Sequence, residues 1–224
     1  MTPSFIPGAI NITGNPTSGG VLREGLVQAN SSGVTVEINA SDLVTAMSTG
    51  SVLLDSSGNI TVSSAVSSPT ANRDLSFKCA GSGIFETKTT GSISVDGQLD
   101  VDCDTITTAN TLQTSRAGAL LRLKSRTNIT VGQTLQTNGG DIVLWSASAG
   151  SASGRISLGN NVCVNSNASC DETVSVATGN IYIGGGASGT DFPTGPATSS
   201  NATAAVRIGG DNNCLLYTSD AADE

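Results

Sequence analysis

A weak repeat of about 22 to 27 residues, carried by short alternating strands whose apolar residues return in register, constrains this chain more than any other feature. One series runs Val52-Leu53-Leu54, Leu75-Ser76-Phe77, Leu99-Asp100-Val101, Leu121-Arg122-Leu123 and Ile142-Val143-Leu144. A second interleaves with it at Ile60-Thr61-Val62, Ile84, Ile106, Ile129-Thr130-Val131, Ile156-Ser157-Leu158 and Ile181-Tyr182-Ile183. Two series sharing one period imply a coil of strands, each turn stacked on the last.

Composition agrees with a narrow core. Only 12% of residues are charged and 27 are Gly, so the chain would read as disordered but for its spaced Val, Ile and Leu. The aromatic content of 3% suits a thin tube filled by small aliphatics. Charge is -8, from 18 acidic and 10 basic residues. That balance excludes a nucleic-acid binder, which needs clustered Lys and Arg.

The last eleven residues, Cys214 to Glu224, resemble a translated sequencing-library adapter read through in frame, and are set aside as a non-native tail. Asp220, Asp223 and Glu224 lie in that tail, leaving 15 acidic against 10 basic residues, a net charge of -5. The expectation is a fragment of a longer, environmentally sampled gene, in which Met1 need not be the true start. No apolar run reaches the roughly 18 residues of a membrane span, and the first residues lack the basic and apolar regions of a signal peptide.

Organisation along the chain follows the repeat. Residues 1–40 form an irregular β segment at the start of the solenoid, 41–186 the β-helix repeats, and 187–213 a Gly/Ser/Pro-rich loop with a further strand. Asp42 to Met47 is the one helix-like passage, with an Asp or Ser cap before it and Gly50 after it, long enough for about one turn. Asn59, Asn128 and Asn180 each precede an Ile of the second series, where a left-handed corner would favour Asn.

Four native cysteines remain. Cys79 and Cys103 both sit two places after an apolar strand residue, so alternation stacks them one turn apart. A disulfide is sterically allowed there, but two buried thiols are the simpler expectation, because stacking does not itself supply the dihedral. Cys163 and Cys170 bracket a short loop that a disulfide could close in an oxidising compartment. With no His and no C-x-x-C spacing, neither pair resembles a zinc site, and no cofactor is expected.

On the most regular turns the outward positions stack as Ser76 over Asp100 over Arg122, and Lys78 over Asp102 over Lys124. Opposite charges then adjoin across turns, each pair contributing about 0.2 to 1 kcal/mol. Asp100, Asp102 and Asp104 share this face with Arg122, Lys124 and Arg126, making it the only constellation that could serve as a carboxylate site; a charge ladder is the favoured reading. The lack of His removes Ser-His-Asp chemistry and any Cys-His nucleophile.

The phrases Gly58-Asn59-Ile60-Thr61-Val62 and Asn138-Gly139-Gly140-Asp141-Ile142-Val143-Leu144-Trp145, with Ser51 to Asp55 and Asp74 to Phe77, resemble the repeats of filamentous-haemagglutinin-type bacterial surface proteins. The resemblance covers Val34 to Gly186. It implies an all-β, right-handed parallel β-helix from a large exported adhesin, secreted by or displayed on a Gram-negative bacterium. It implies no enzyme, and partners among host or environmental surface glycans or proteins. That family's secretion domain carries Asn-Pro motifs; only Asn15-Pro16 occurs here, followed by Thr17, so no secretion domain is assigned. The alternative is a β-helix polysaccharide lyase or glycoside hydrolase. A cut solenoid exposes strand edges, so association end to end is also expected.

Overall fold

The computed structural model describes residues 5–23, 25–68, 72–149, 154–166, 179–186 and 193, and the backbone of 206–208 and 214–216. Its N-terminal elements are β1 (Ala9–Thr13), the hairpin β2 (Gly20–Arg23) and β3 (Leu26–Ala29), β4 (Thr35–Asn39) and the helix α1 (Ala40–Thr49). Six turns of solenoid follow, each of three strands. The first is β5 (Val52–Ser56), β6 (Ile60–Val62), β7 (Val66–Ser68); the second β8 (Leu75–Cys79), β9 (Ile84–Thr87), β10 (Ile93–Val95). The third is β11 (Leu99–Cys103), β12 (Thr105–Thr108), β13 (Leu112–Ala117), and the fourth β14 (Leu121–Ser125), β15 (Ile129–Val131), β16 (Leu135–Asn138). The fifth is β17 (Ile142–Ser146), β18 (Ile156–Leu158), β19 (Cys163–Asn165), and the sixth β20 (Ile181–Gly185), β21 (Val206–Ile208), β22 (Cys214–Leu216).

Leading, middle and closing strands of each turn form three parallel sheets around one core. The leading series matches the repeat read from the sequence: Val52, Leu75, Leu99, Leu121 and Ile142 are register partners, and Leu54, Phe77, Val101, Leu123 and Leu144 form a second inward column. Each such aliphatic removed from water contributes about 1.5–3 kcal/mol. The middle series differs at one position. Phe85, not Ile84, stands between Ile60 and Ile106; it is fully buried and its ring lies 4.9 Å from that of Phe77, while Ile84 faces outward. The closing sheet is a third series, with Val66, Ile93, Leu112, Leu135 and Val164 in its column.

Ile181-Tyr182-Ile183 belongs to the leading sheet, paired with Ile142-Val143-Leu144, rather than to the middle series. Chain inserted after β17 and after β19 displaces it from the period. The first residues of the tail set aside above, Cys214–Leu216, lie as a strand against β19. An open edge of backbone donors and acceptors pairs with whatever extended segment follows it.

Corners explain much of the polar composition. Asn59 Oδ1 accepts the N–H of Ile84 at 2.9 Å, and Asn128 Oδ1 that of Arg155 at 2.9 Å, each reaching the next turn. Asn59, Asn128 and Asn180 do not have positive φ, so acceptor geometry rather than left-handed backbone selects the first two. Asn180 stands at a different corner, where its own N–H donates to Asp141 Oδ1 at 2.7 Å. Inside another corner Ser125 Oγ donates to the carbonyls of Asp104 and Asn128 at 2.6 and 3.0 Å.

The N-terminal end is capped. β1 inserts between β4 and β6, and the antiparallel β2–β3 hairpin extends the leading sheet. The closing sheet stops at β7, and α1 packs against that strand where a further one would stand. Its Leu43 and Met47, one turn of helix apart, are fully buried in the core. Asn39 caps it by accepting from the Ser41 N–H at 2.8 Å, and the ten-residue helix is longer than the single turn expected from sequence. Ser18 exchanges two 3.0 Å backbone bonds with Glu37 on the outer edge of β4. At this end the middle sheet's edge is thus partly covered and the closing sheet's covered by the helix, while β2 stands as the edge strand of the leading sheet.

Glycine recurs where backbones approach. A Cβ on Gly83 would lie 2.4 Å from the Gly58 carbonyl oxygen and 2.7 Å from Cys79 Cβ, whereas one on Gly50 would meet nothing within 4 Å. Gly83→Ala is expected to cost about 1–3 kcal/mol in chemical denaturation, and Gly50→Ala to stay within about 0.5 kcal/mol.

Candidate functional site: the charged face of the leading sheet

Strand alternation sends every second residue of the leading sheet outward, and parallel register sets those residues in columns. One column is Ser76, Asp100, Arg122, Val143, Tyr182; its neighbour is Asp55, Lys78, Asp102, Lys124, Trp145. The pairs expected from sequence are thus adjacent. Arg122 grips Asp100 with both ends of its fork, Nε to Oδ1 at 2.8 Å and Nη2 to Oδ2 at 2.7 Å. Lys124 Nζ lies 3.4 Å from Asp102 Oδ2 and 5.0 Å from the centre of the Trp145 ring. At the exposed end of the column, Lys78 stands 3.9 Å from Asp55.

Arg126 ties this face to the corner. Its Nη1 lies 3.9 Å from Asp102 and its Nε 3.6 Å from Asp104, while Nη2 donates to the carbonyls of Cys79 at 2.9 Å and Gly81 at 2.6 Å. Asp100, Asp102 and Asp104 are each opposed by a guanidinium or ammonium group. Chemically, the arrangement neutralises carboxylates across turns. It holds both Arg122 and Asp100 in a planar bidentate bond, an arrangement suited to fixing register rather than moving protons. Among the described residues, no three of His, Cys, Asp and Glu are grouped so as to hold a metal ion.

Beneath the corner, Cys79 and Cys103 form a disulfide with Cα atoms 4.6 Å apart, correcting the expectation of two stacked thiols. Ser56 and Ser125 occupy the same inward column in the flanking turns, all four side chains being buried. The register that brings the two Cβ atoms face to face supplies what strand spacing alone does not. Cys163 is half-buried in β19, and its suggested partner Cys170 lies outside the described residues.

Two features went unread in the sequence. Val143 and Trp145 point away from the tube core yet are 0% and 1% exposed, and Trp145 Nε1 donates to the Gly186 carbonyl at 2.8 Å, so the leading sheet is covered on both faces here. The uninterrupted apolar run Ile142-Val143-Leu144-Trp145 is the signal of a doubly buried strand. The second is a groove of about 440 Å³ between β2 and α1, lined by Val21 and Leu22 on one side and Asp42, Thr45, Ala46 and Thr49 on the other. Thr17 Oγ1 donates to Asp42 across it at 2.6 Å. The segment Ala187 to Ser200, within the Gly/Ser/Pro-rich loop, lies outside the described residues apart from Pro193.

A double-mutant cycle on Asp100 and Arg122, each to Ala, is expected to give a coupling of about 1 kcal/mol in chemical denaturation, and the cycle on Asp55 and Lys78 a value near zero. The first pair is bidentate and mostly shielded from water, whereas the Lys78 side chain is 60% exposed.

No family model, curated protein or solved structure matches the chain.

Proposed function

We propose that this chain is a segment of an exported bacterial surface stalk, a rod that projects and presents a surface for adhesion to glycans or proteins. The observation that carries the proposal is the pairing of charges across turns: on the charged face of the leading sheet, Asp100, Asp102 and Asp104 are engaged by Arg122, Lys124 and Arg126 in holding successive turns together. A solenoid stiffened in this way serves extension, because each turn's backbone bonds to its neighbours and aliphatic columns fill the tube.

The disulfide supports export, since such bonds persist outside the reducing cytosol. The outward Ser, Thr and Gln positions support a role in contact with water and polar surfaces. Examples are Ser94 and Gln113 on the closing sheet and Thr107 and Thr130 on the middle one.

Purified chain immobilised on beads is expected to retain cells or glycan-coated surfaces, equally well with Asp102→Ala. Incubated with polyuronides and calcium, it is expected to leave chain length unchanged. Time-dependent cleavage of polysaccharide that Asp102→Ala abolishes would reverse the assignment in favour of a lyase.

A further inference from the structure

We infer that the corner built from Cys79, Cys103 and Arg126 is a mechanical stop, at which unravelling of the rod under tension halts. The inference goes beyond the adhesive role and stands or falls without any ligand. A solenoid turn touches only the turns beside it, so a chain pulled from its ends is expected to peel one turn at a time, each strand leaving an edge for the next to leave. Two devices at this corner break that sequence.

The first is covalent. Cys79 ends β8 in the second turn, Cys103 ends β11 in the third, and the bond between them closes a loop of sequence separation 24, which is one whole turn. Tension arriving at either cysteine passes through sulfur to the other, and β9 and β10 between them carry none. Their bonds to the turns on either side are therefore not sheared through the loop itself, and the loop adds no length while the disulfide holds.

The second device skips a turn. Arg126 follows β14 in the fourth turn, yet its guanidinium donates to the carbonyls of Cys79 and Gly81 in the second, separated from them by 47 and 45 residues. On the way it passes Asp102 and Asp104 of the third turn, at 3.9 and 3.6 Å. Peeling the fourth turn therefore requires breaking contacts with two turns at once. One other described contact skips a turn, Arg116 at the end of β13 standing 3.8 Å from Asp74 ahead of β8, but among the described residues only the Arg126 corner joins such a contact to a disulfide. The bonds of Asn59 to Ile84 and Asn128 to Arg155 reach only the next turn.

The test is single-molecule stretching of the whole chain held at its two ends. The wild-type trace is expected to pause with the second to fourth turns still folded. Its final extension should be shorter by about 80 Å than that of the Cys79→Ser, Cys103→Ser double variant, the length of the loop hidden by the disulfide at roughly 3.5 Å per residue. Serine is the substitution of choice because Ser56 and Ser125 already fill that column above and below. In the double variant the pause should vanish. In Arg126→Ala it should persist but begin after the fourth turn has been lost.

A wild-type trace without a pause, or a pause that survives in the double variant, overturns the inference. Should the double variant fail to fold, native-state hydrogen exchange of the wild type decides. The amides of β8 to β11 should be the last to exchange, and slower exchange in any other turn overturns the stop.

Discussion

Stacking of equivalent positions at the spacing of neighbouring strands, about 4.8 Å, governs everything else in this molecule. Because the turns are parallel and in register, each side chain meets its counterpart from the next turn, and a residue type is acceptable only if it tolerates that neighbour. Aliphatics over aliphatics satisfy the condition in the core, as Val52 to Ile142 do. Glycine over glycine satisfies it where corners close tightly: a Cβ on Gly58 would lie 2.2 Å from the Gly8 oxygen, as one on Gly83 would crowd Gly58. Like charges do not satisfy it. Two at about 5 Å repel by roughly 1 kcal/mol even at the dielectric of water, and more against a partly shielded sheet. Hence Asp55, Lys78, Asp102 and Lys124 alternate in sign up the column.

The same condition decides what the sequence makes legible. Leading strands are five residues long with two or three inward positions, so their alternation is readable and the Asp100–Arg122 and Asp102–Lys124 pairs could be placed before any coordinates. At Ile84-Phe85 both residues are apolar, and alternation has no way to choose; the partner ring of Phe77 across the core chooses Phe85. The closing sheet is hidden because β7 and β10 are three residues each and some of its inward positions are polar: Ser68, and Thr114 and Thr137, whose hydroxyls donate to the corner carbonyls of Ala119 and Gly140. The helix is under-read for a similar reason. Thr45, Ser48 and Thr49 satisfy their hydroxyls on helix carbonyls, a bond that propensity alone does not anticipate.

Contacts that depend on distance rather than on register lay beyond the sequence. The disulfide needed the Cα separation of 4.6 Å, which falls in the range a disulfide accepts, and pattern gives register but not distance. Arg126 was readable as part of a charged face, but not as a group that reaches back across the third turn to the second. The groove beside α1 depends on a hairpin whose antiparallel pairing departs from the parallel rule of the rest.

A chain so rich in Ser, Thr, Asn and Gly invites a reading of its polar residues as binding groups, yet the corners account for many of them. Every turn changes direction three times, and each change leaves backbone donors and acceptors that a buried Ser or Thr hydroxyl or a neighbouring Asn carbonyl must satisfy. Polarity at those positions is a condition of folding. Other positions are constrained by neither the core nor the corners nor the charge ladder. Those are the outward residues of the middle and closing sheets, such as Thr107, Thr130, Ser94 and Gln113. Their replacement leaves the inward columns untouched, so a solenoid of this design can change its surface chemistry without disturbing its core.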